Sequence, residues 1–318
     1  MKAARPIGDL AAYTALRLVI ATLQAAPLGV CDRLAHGLAW LAADVLRLRG
    51  GLLHNNLRIA MPDATADERH AVGRRMWRHL FLMVAEIAHT PRKMHRTTWR
   101  RHCRLTGEAA TVSQVLSGRP TVLISGHFGN FEFGGYLLGL LGFPTHTVAR
   151  TLDNSYVDRF VNRFRGKTGQ HILPKQGSQE DVERLMAAGG TLTLLGDQAA
   201  THRGCWVDFF GKLASTHKAV SLFTLSFRAP TLVLGVRREG SPMRYHVATR
   251  AAVDPAAEGF DLGTTPLLTQ WFTDELETMI REAPEQYWWV HNRWKGAPPS
   301  KKPKRPAIEP PSPTETAA

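Results

Sequence analysis

The residue types best suited to chemistry lie in one run, Ser125-Gly126-His127-Phe128-Gly129-Asn130-Phe131-Glu132. It places a histidine and a carboxylate five positions apart at an expected strand-to-helix turn. On one continuous helix the two side chains would diverge by about 140°. If His127 lies on the loop and Glu132 in the first helical turn, Glu132 can reach back to one ring nitrogen. That contact would fix the tautomer and stabilise the imidazolium, leaving the other nitrogen as a general base. Gly126 and Gly129 permit a tight turn and close approach of a substrate. The first amides of the new helix can hold an oxyanion or a phosphate. Two other readings stay open here. One is a structural histidine beside a helix-capping carboxylate. The other is a metal site, although no neighbouring His/Cys/Asp cluster has ligand spacing. No G-x-S-x-G elbow is present, so Ser125 is a poor nucleophile.

Three further groups of residues bear on a site. Gly196-Asp197-Gln198 puts a polar pair at an expected strand end. It is followed by an apolar, aromatic loop, Gly204 to Thr216, which would wall a greasy slot or simply fill the core. Pro284 to Lys295 (PEQYWWVHNRWK) sets three tryptophans and a tyrosine among His291, Arg293 and Lys295. Aromatics with basic heads suit a water–lipid boundary, a phosphate, base stacking or a packed C-terminal closure. Arg150, Arg159, Arg163, Arg165 and Lys167 follow the histidine box. Bidentate arginines are a natural grip for phosphate, and a solvated basic face is the alternative. If this stretch is helical, Arg159 and Arg163 share a face.

The elements that would carry these groups read as α/β. Thr121–Ser125 and Thr191–Leu195 are expected strands, with His127 and Asp197 just beyond their carboxyl ends. Helices are expected from about Asn130 to Leu141 and after Ser178, stopping at Gly189-Gly190. Thr231–Val236 and Tyr245–Arg250 are further strands, and Leu268, Phe272, Leu276 and Ile280 mark a late amphipathic helix. Strand–helix alternation predicts a mostly parallel sheet covered on both faces, with ligand sites at the strand ends. Upstream, Thr65 and Glu68 form a capping-box pair. The helix that follows would bury Val72, Met76, Leu80, Met83 and Ile87. Residues 51–62 are expected as a short connection.

The 318 residues carry 40 Lys+Arg against 27 Asp+Glu, a net charge of +13. Such a balance favours anionic partners. No zinc finger or RNP motif is present, so nucleic acid is not an expected partner. Three scattered cysteines, Cys31, Cys103 and Cys205, exclude a disulfide scaffold and a cysteine zinc module. A mean hydropathy of −0.19 excludes a polytopic membrane protein. Residues 10–30 are mostly apolar but interrupted by Arg17, Gln24 and Pro27, and a second apolar stretch follows at Leu34–Leu48. Arg17, Arg33, Arg47 and Arg49, with Lys2 and Arg5, would face anionic headgroups. The expected organisation is a membrane-associated helical segment at 1–50, a catalytic domain at 51–295 and a disordered Pro/Lys-rich tail at 296–318. A buried helix hairpin is the alternative for the first segment.

Together these blocks resemble the bacterial lipid A biosynthesis acyltransferases. The ordered matches are Asn56-Leu57-Arg58-Ile59-Ala60-Met61-Pro62, the H-x4-D/E box His127…Glu132 in its glutamate form, and Gly196-Asp197-Gln198. Phe209-Phe210-Gly211…Ala214-Ser215-Thr216 and the closing Pro284…Lys295 signature complete the series. The resemblance implies a glycerol-3-phosphate-acyltransferase-like α/β fold. It also implies transfer of a fatty acyl chain from an acyl carrier protein thioester to a hydroxyl of a phosphorylated glucosamine lipid. In that chemistry His127 would be the base and Glu132 its partner. Arg150, Arg163 or Arg165, Asp197, Gln198 and Arg293 would contact substrate. No metal or cofactor is implied. The implied place is the cytoplasmic face of the bacterial inner membrane. Another glycolipid or phospholipid acceptor, such as a phosphatidylinositol mannoside, and a non-catalytic lipid-binding protein are the alternatives.

Overall fold

The computed structural model describes residues 6–200 and 204–296. Helices α1 (Pro6–Ala25) and α2 (Leu28–Trp40) are joined at Pro27, and a π-helical turn at Leu41–Val45 continues α2. Helix α3 (Gly50–Ala60) occupies most of the span expected as a connection. Its Leu53, Asn56, Leu57 and Ala60 are buried, at steps of three and one that keep to one helical face. The sequence hides this helix because Gly50-Gly51 opens it and Asn55-Asn56 interrupts it, residues that favour turns when read locally.

Helix α4 (Ala66–Lys93) starts on the expected capping box. The Glu68 amide donates to Thr65 Oγ1 at 3.2 Å and the Thr65 amide to Glu68 Oε2 at 2.7 Å. Val72, Met76 and Met83 are buried as expected, whereas Leu80 and Ile87 are half-buried. The same helix also buries His79 and Glu86, two polar groups that the apolar stripe does not announce.

The main sheet contains β1 (Cys103–Thr106), β2 (Thr121–Ser125), β3 (Thr145–Ala149), β4 (Gln170–Pro174), β5 (Thr191–Leu195), β8 (Thr231–Arg238) and β9 (Tyr245–Val253). Their order is β1-β9-β8-β2-β5-β3-β4, parallel throughout except for the β8–β9 pair. Thus the mostly parallel sheet is present. Crossover helices are α5 (Glu108–Val115), α6 (Phe131–Leu140), α7 (Ser155–Gly166), α8 (Gln179–Ala187) and α9 (Ala219–Ser226), with α10 (Thr265–Glu282) packed near the end of the chain. Strand β2 is buried along Thr121–Ile124, which is why it reads as a continuous apolar run and not as an alternation.

Between β5 and α9, β6 (Cys205–Phe209) and β7 (Lys212–Thr216) form a separate antiparallel hairpin. Its two-residue loop is Phe210-Gly211, both at positive φ (55° and 73°), the geometry that matches the twist of a hairpin. Phe209 and Phe210 are core residues, packed with Tyr287, Trp289 and Trp294.

Helix α1 lies on α4 and α7. Gln24 Nε2 donates to the Ala88 carbonyl at 2.8 Å, Asn154 Nδ2 to the Asp9 carbonyl at 2.9 Å, and Tyr13 stacks on Tyr156. Its outer face and those of α2 and the π turn expose Ile7, Leu18, Leu34, Trp40 and Leu46. Among the described residues, no helix is long and apolar enough to cross a membrane. Lys2, Arg5 and the segment after Gly296 lie outside the described residues.

Candidate active site

The site follows from strand register. β2 and β5 are neighbours with Ser125 opposite Leu195, so Gly126-His127 and Gly196-Asp197 leave the sheet side by side. Glycine at 126 eases the approach, since a Cβ there would lie a tight 3.3 Å from Asp197 Cγ. The Asp197 carboxylate then holds His127 twice. The His127 backbone N–H donates to Oδ2 at 2.9 Å, and ring Nδ1–H donates to Oδ1 at 2.8 Å. This fixes the tautomer and leaves a lone pair on Nε2, toward which the Gln198 side-chain N–H points at 3.2 Å. The ring is flanked by Phe131 and Trp288, both 5.0 Å away centre to centre, and its side chain is 12% exposed.

The carboxylate on the imidazole is therefore Asp197, not Glu132 as the sequence reading expected. Glu132 sits in the first turn of α6 as anticipated, but it turns to α7 and forms a two-pronged ion pair with Arg165. Arg165 Nε donates to Glu132 Oε2 at 2.9 Å, and its other prong meets Oε1. From the second position of α6 the Glu132 side chain is held by Arg165 of α7 and not by the ring. Its charge still acts on the imidazole. Burial pushes the His127 pKa down, but the charge and hydrogen bond of Asp197, and then the charge of Glu132, outweigh it and hold the pKa above the usual histidine value. Asp197 is pulled the opposite way. Its burial favours the protonated form, but His127 and the charge of Arg293 keep the pKa below the usual carboxylate value.

The other expected contacts divide in the same manner. Arg165 is half-buried against Glu132 and Arg163 is exposed, because helical residues two apart differ by about 200° in direction. Arg150 is also exposed and pairs with Asp153 at 3.1 Å. Arg293, expected to touch substrate, is 1% exposed. It donates to the Ser215 carbonyl at 2.8 Å and Thr216 Oγ1 at 2.6 Å, and lies over the Phe209 ring. From there it supplies positive charge behind Asp197. Burial, and then the Asp197 charge, push the phenol of Tyr287, 2% exposed, well above the usual tyrosine value. Asp197, expected to touch substrate, is 3% exposed and is instead bonded to His127. Gln198 is half-buried beside Nε2.

The closing signature builds one wall. The Trp288 amide donates to the His127 carbonyl at 3.1 Å and the Gly129 amide to the Gln286 carbonyl at 2.9 Å. Asn56 on α3 donates from Nδ2 to the carbonyls of Trp289 and His291 at 2.7 and 2.8 Å. His291 accepts the Ala199 amide at 3.0 Å, which pins the loop after Asp197.

A buried polar network underlies the turn, and sequence reasoning missed it. His79 Nε2–H donates to the Gly129 carbonyl at 3.2 Å, and Arg238 donates to His79 Nδ1 at 2.8 Å. Arg238 also clasps Glu86 at 2.7 and 2.6 Å. Glu86 accepts the Met243 amide at 2.8 Å, and Asn130 Nδ2 donates to Tyr245 Oη at 2.9 Å. Burial, then the Arg238 charge, drives the His79 pKa down to about 3, so it stays neutral and keeps one donor and one acceptor. Gly129 is at φ +57°, and a Cβ there would fall 1.7 Å from the Val236 carbonyl oxygen. Only glycine fits that turn.

The profile of the bacterial lipid A biosynthesis acyltransferases matches residues 10–296 of this chain. The chain belongs to that family. The match runs from α1 through the closing signature, so it takes in every residue of the site. Among curated proteins, the lipid A biosynthesis palmitoleoyltransferase of Escherichia coli (strain K12) is 23% identical over 268 residues, covering 81% of this chain and 82% of its own. The lipid A biosynthesis acyltransferase of Shigella flexneri matches to the same extent. This member of the family is accordingly an O-acyltransferase of lipid A biosynthesis. The block that carries Asp197 continues as Ala199-Ala200. Ala199 bridges to Thr216 of β7, so the small residues there let the loop pair with the hairpin.

Proposed function

We propose that the enzyme moves a fatty acyl chain from an acyl carrier protein thioester to a hydroxyl of a phosphorylated lipid A precursor, with His127 as general base. The observation that carries the proposal is the 2.8 Å contact between Asp197 and Nδ1, which leaves Nε2 as the basic atom beside a partly open face. The acceptor hydroxyl takes the place beside Nε2 now met by Gln198. Its oxygen attacks the thioester carbonyl carbon as its proton passes to Nε2. The resulting oxyanion is met by the amides of Phe131 and Glu132 at the start of α6, since the Phe133 amide is already taken by the Asn130 cap at 3.2 Å. The C–S bond then breaks, and the imidazolium returns the proton to the departing thiolate. Asp197 stabilises the imidazolium between those steps. Arg165, held by Glu132, offers its charge to the phosphorylated acceptor or to the oxyanion.

The net charge of +13 suits an acidic carrier protein and an anionic lipid. The exposed apolar face of α1 and α2 suits seating residues 1–50 in the cytoplasmic leaflet of the inner membrane, with 51–295 as the catalytic domain. Purified protein incubated with acyl-carrier-protein thioester and a phosphorylated glucosamine-lipid precursor is expected to add one acyl mass to the lipid, read by mass spectrometry. Transfer only from a coenzyme A thioester, or only onto a glycerophospholipid, would overturn the donor or the acceptor respectively.

The proposal also fixes a pH dependence. A base must be unprotonated, so kcat/KM is expected to rise with pH through the His127 pKa, on a limb lying above the ordinary histidine value of 6.5. In Asp197→Asn the raising charge is gone and burial dominates, so the limb moves to lower pH. Glu132→Gln moves it the same way by less. A limb unaffected by either change would remove His127 as the titrating group.

A further inference from the structure

The turn between α2 and α3 holds two arginines in the left-handed region, Arg47 at φ 46° and Arg49 at φ 52°. Long side chains seldom adopt that backbone, and surrounding structure must hold them there. Arg49 is used internally, donating to the Val290 carbonyl at 3.0 Å. Arg47 is instead exposed and lines a cavity of about 80 Å³. Leu53 and Leu57 form part of its lining, with Arg69, Arg74 and Trp77 beside them. Asp44 is the acid that meets this group, 2.9 Å from His70 Nε2 and 3.6 Å from Arg74 Nε. Arg74 is thus paired with Asp44, while Arg69 donates from Nη1 to the carbonyls of Met61, at 3.2 Å, and Ala64.

Two donors in the lining have no acceptor although they are buried: Trp77 Nε1 and Arg69 Nε. Buried donors left unpaired are costly, which favours a ligand rich in acceptor oxygens. That space admits a compact group such as a phosphate. Immediately before Arg47 and Arg49, Val45, Leu46 and Leu48 are exposed apolar side chains. A headgroup in the cavity would thus bring its acyl chains onto apolar surface. The cavity shares no lining residue with the His127 site.

The geometry points to a binding site for the phosphate group of an anionic membrane lipid, held by Arg47, Arg69, Arg74 and the Trp77 indole N–H. The site rests on the proposed seating of the N-terminal helices at a membrane. It would fix the depth and tilt of the enzyme on the leaflet, apart from the chemistry at His127.

Calorimetry on the full chain in non-ionic detergent tests it, with dihexanoyl phosphatidylglycerol below its micellar concentration as the probe. Binding at least tenfold tighter than that of inorganic phosphate or dihexanoyl phosphatidylcholine is expected. Arg47→Asn with Arg74→Gln is expected to weaken it at least tenfold at unchanged Tm; asparagine tolerates the left-handed backbone. Inorganic phosphate binding as tightly as the lipid would assign the cavity to free phosphate and overturn the proposal. Equal affinity in the double variant would overturn it also. Co-sedimentation with phosphatidylcholine vesicles reads the membrane seat separately. Loss of vesicle binding with short-chain lipid binding kept overturns the seat alone, and the reverse overturns the cavity assignment alone.

Discussion

Asp197→Asn is expected to lower kcat by about 10²–10⁴ and by no more than loss of the imidazole itself, the cost of a wrong tautomer where an imidazole base depends on a buried carboxylate. Asp197 uses both oxygens on one residue, the ring Nδ1–H and the backbone N–H of His127. An asparagine has one oxygen to offer. If its NH2 faces the ring, Nδ1 must become the acceptor and the proton moves to Nε2, which removes the base. If its NH2 faces the backbone N–H, two donors oppose each other and the loop is displaced. Glu132→Gln, by contrast, is expected to cost less than tenfold, since it weakens the Arg165 pair and only a distant charge on the ring. Steady-state acyl transfer by the two variants, with Tm recorded for each, separates them. The opposite ranking would return the orienting role to Glu132.

Glu86→Ala is expected to destabilise the protein by about 3–5 kcal/mol, because it strands the Arg238 guanidinium in the interior. Glu86 is fully buried and its two oxygens serve Arg238 and the Met243 amide. The double change Glu86→Leu/Arg238→Met removes both charges and is expected to recover most of that loss. Recovery falls short of complete because the Met243 amide still loses its acceptor. Denaturant unfolding of the single and double variants gives the comparison. A single-variant cost below about 1 kcal/mol would mean that water reaches the pair and that the turn at Gly129 is not held by it.

What the sequence displayed and what it hid divide along local and non-local lines. The strands β2 and β5, the glycine turn and the histidine beyond it are written locally, in runs such as Thr121–Ser125 and in Gly126 and Gly129. The pairing of His127 with Asp197 is not, because it requires β5 to lie next to β2 in register. Strand order is a property of the packed sheet. Both residues stand two positions beyond their strand ends, and that was the available signal. Glu132 misled for the same reason: nearness in sequence at the start of a helix says little about which partner the side chain finds. Arg293 misled through its residue type, since arginines are mostly exposed, but Phe209, the Ser215 carbonyl and Thr216 give this one a buried place. No local pattern marks Glu86 and Arg238, which lie 152 positions apart.

The most direct test of the central claim is acyl transfer by purified His127→Ala, with thermal unfolding and vesicle binding measured on the same preparation. A fall in turnover of about 10²–10⁴ is expected, the usual contribution of a positioned base, with folding and membrane binding unchanged. Turnover equal to that of the wild-type enzyme would contradict the account, because no proton would then pass through that imidazole.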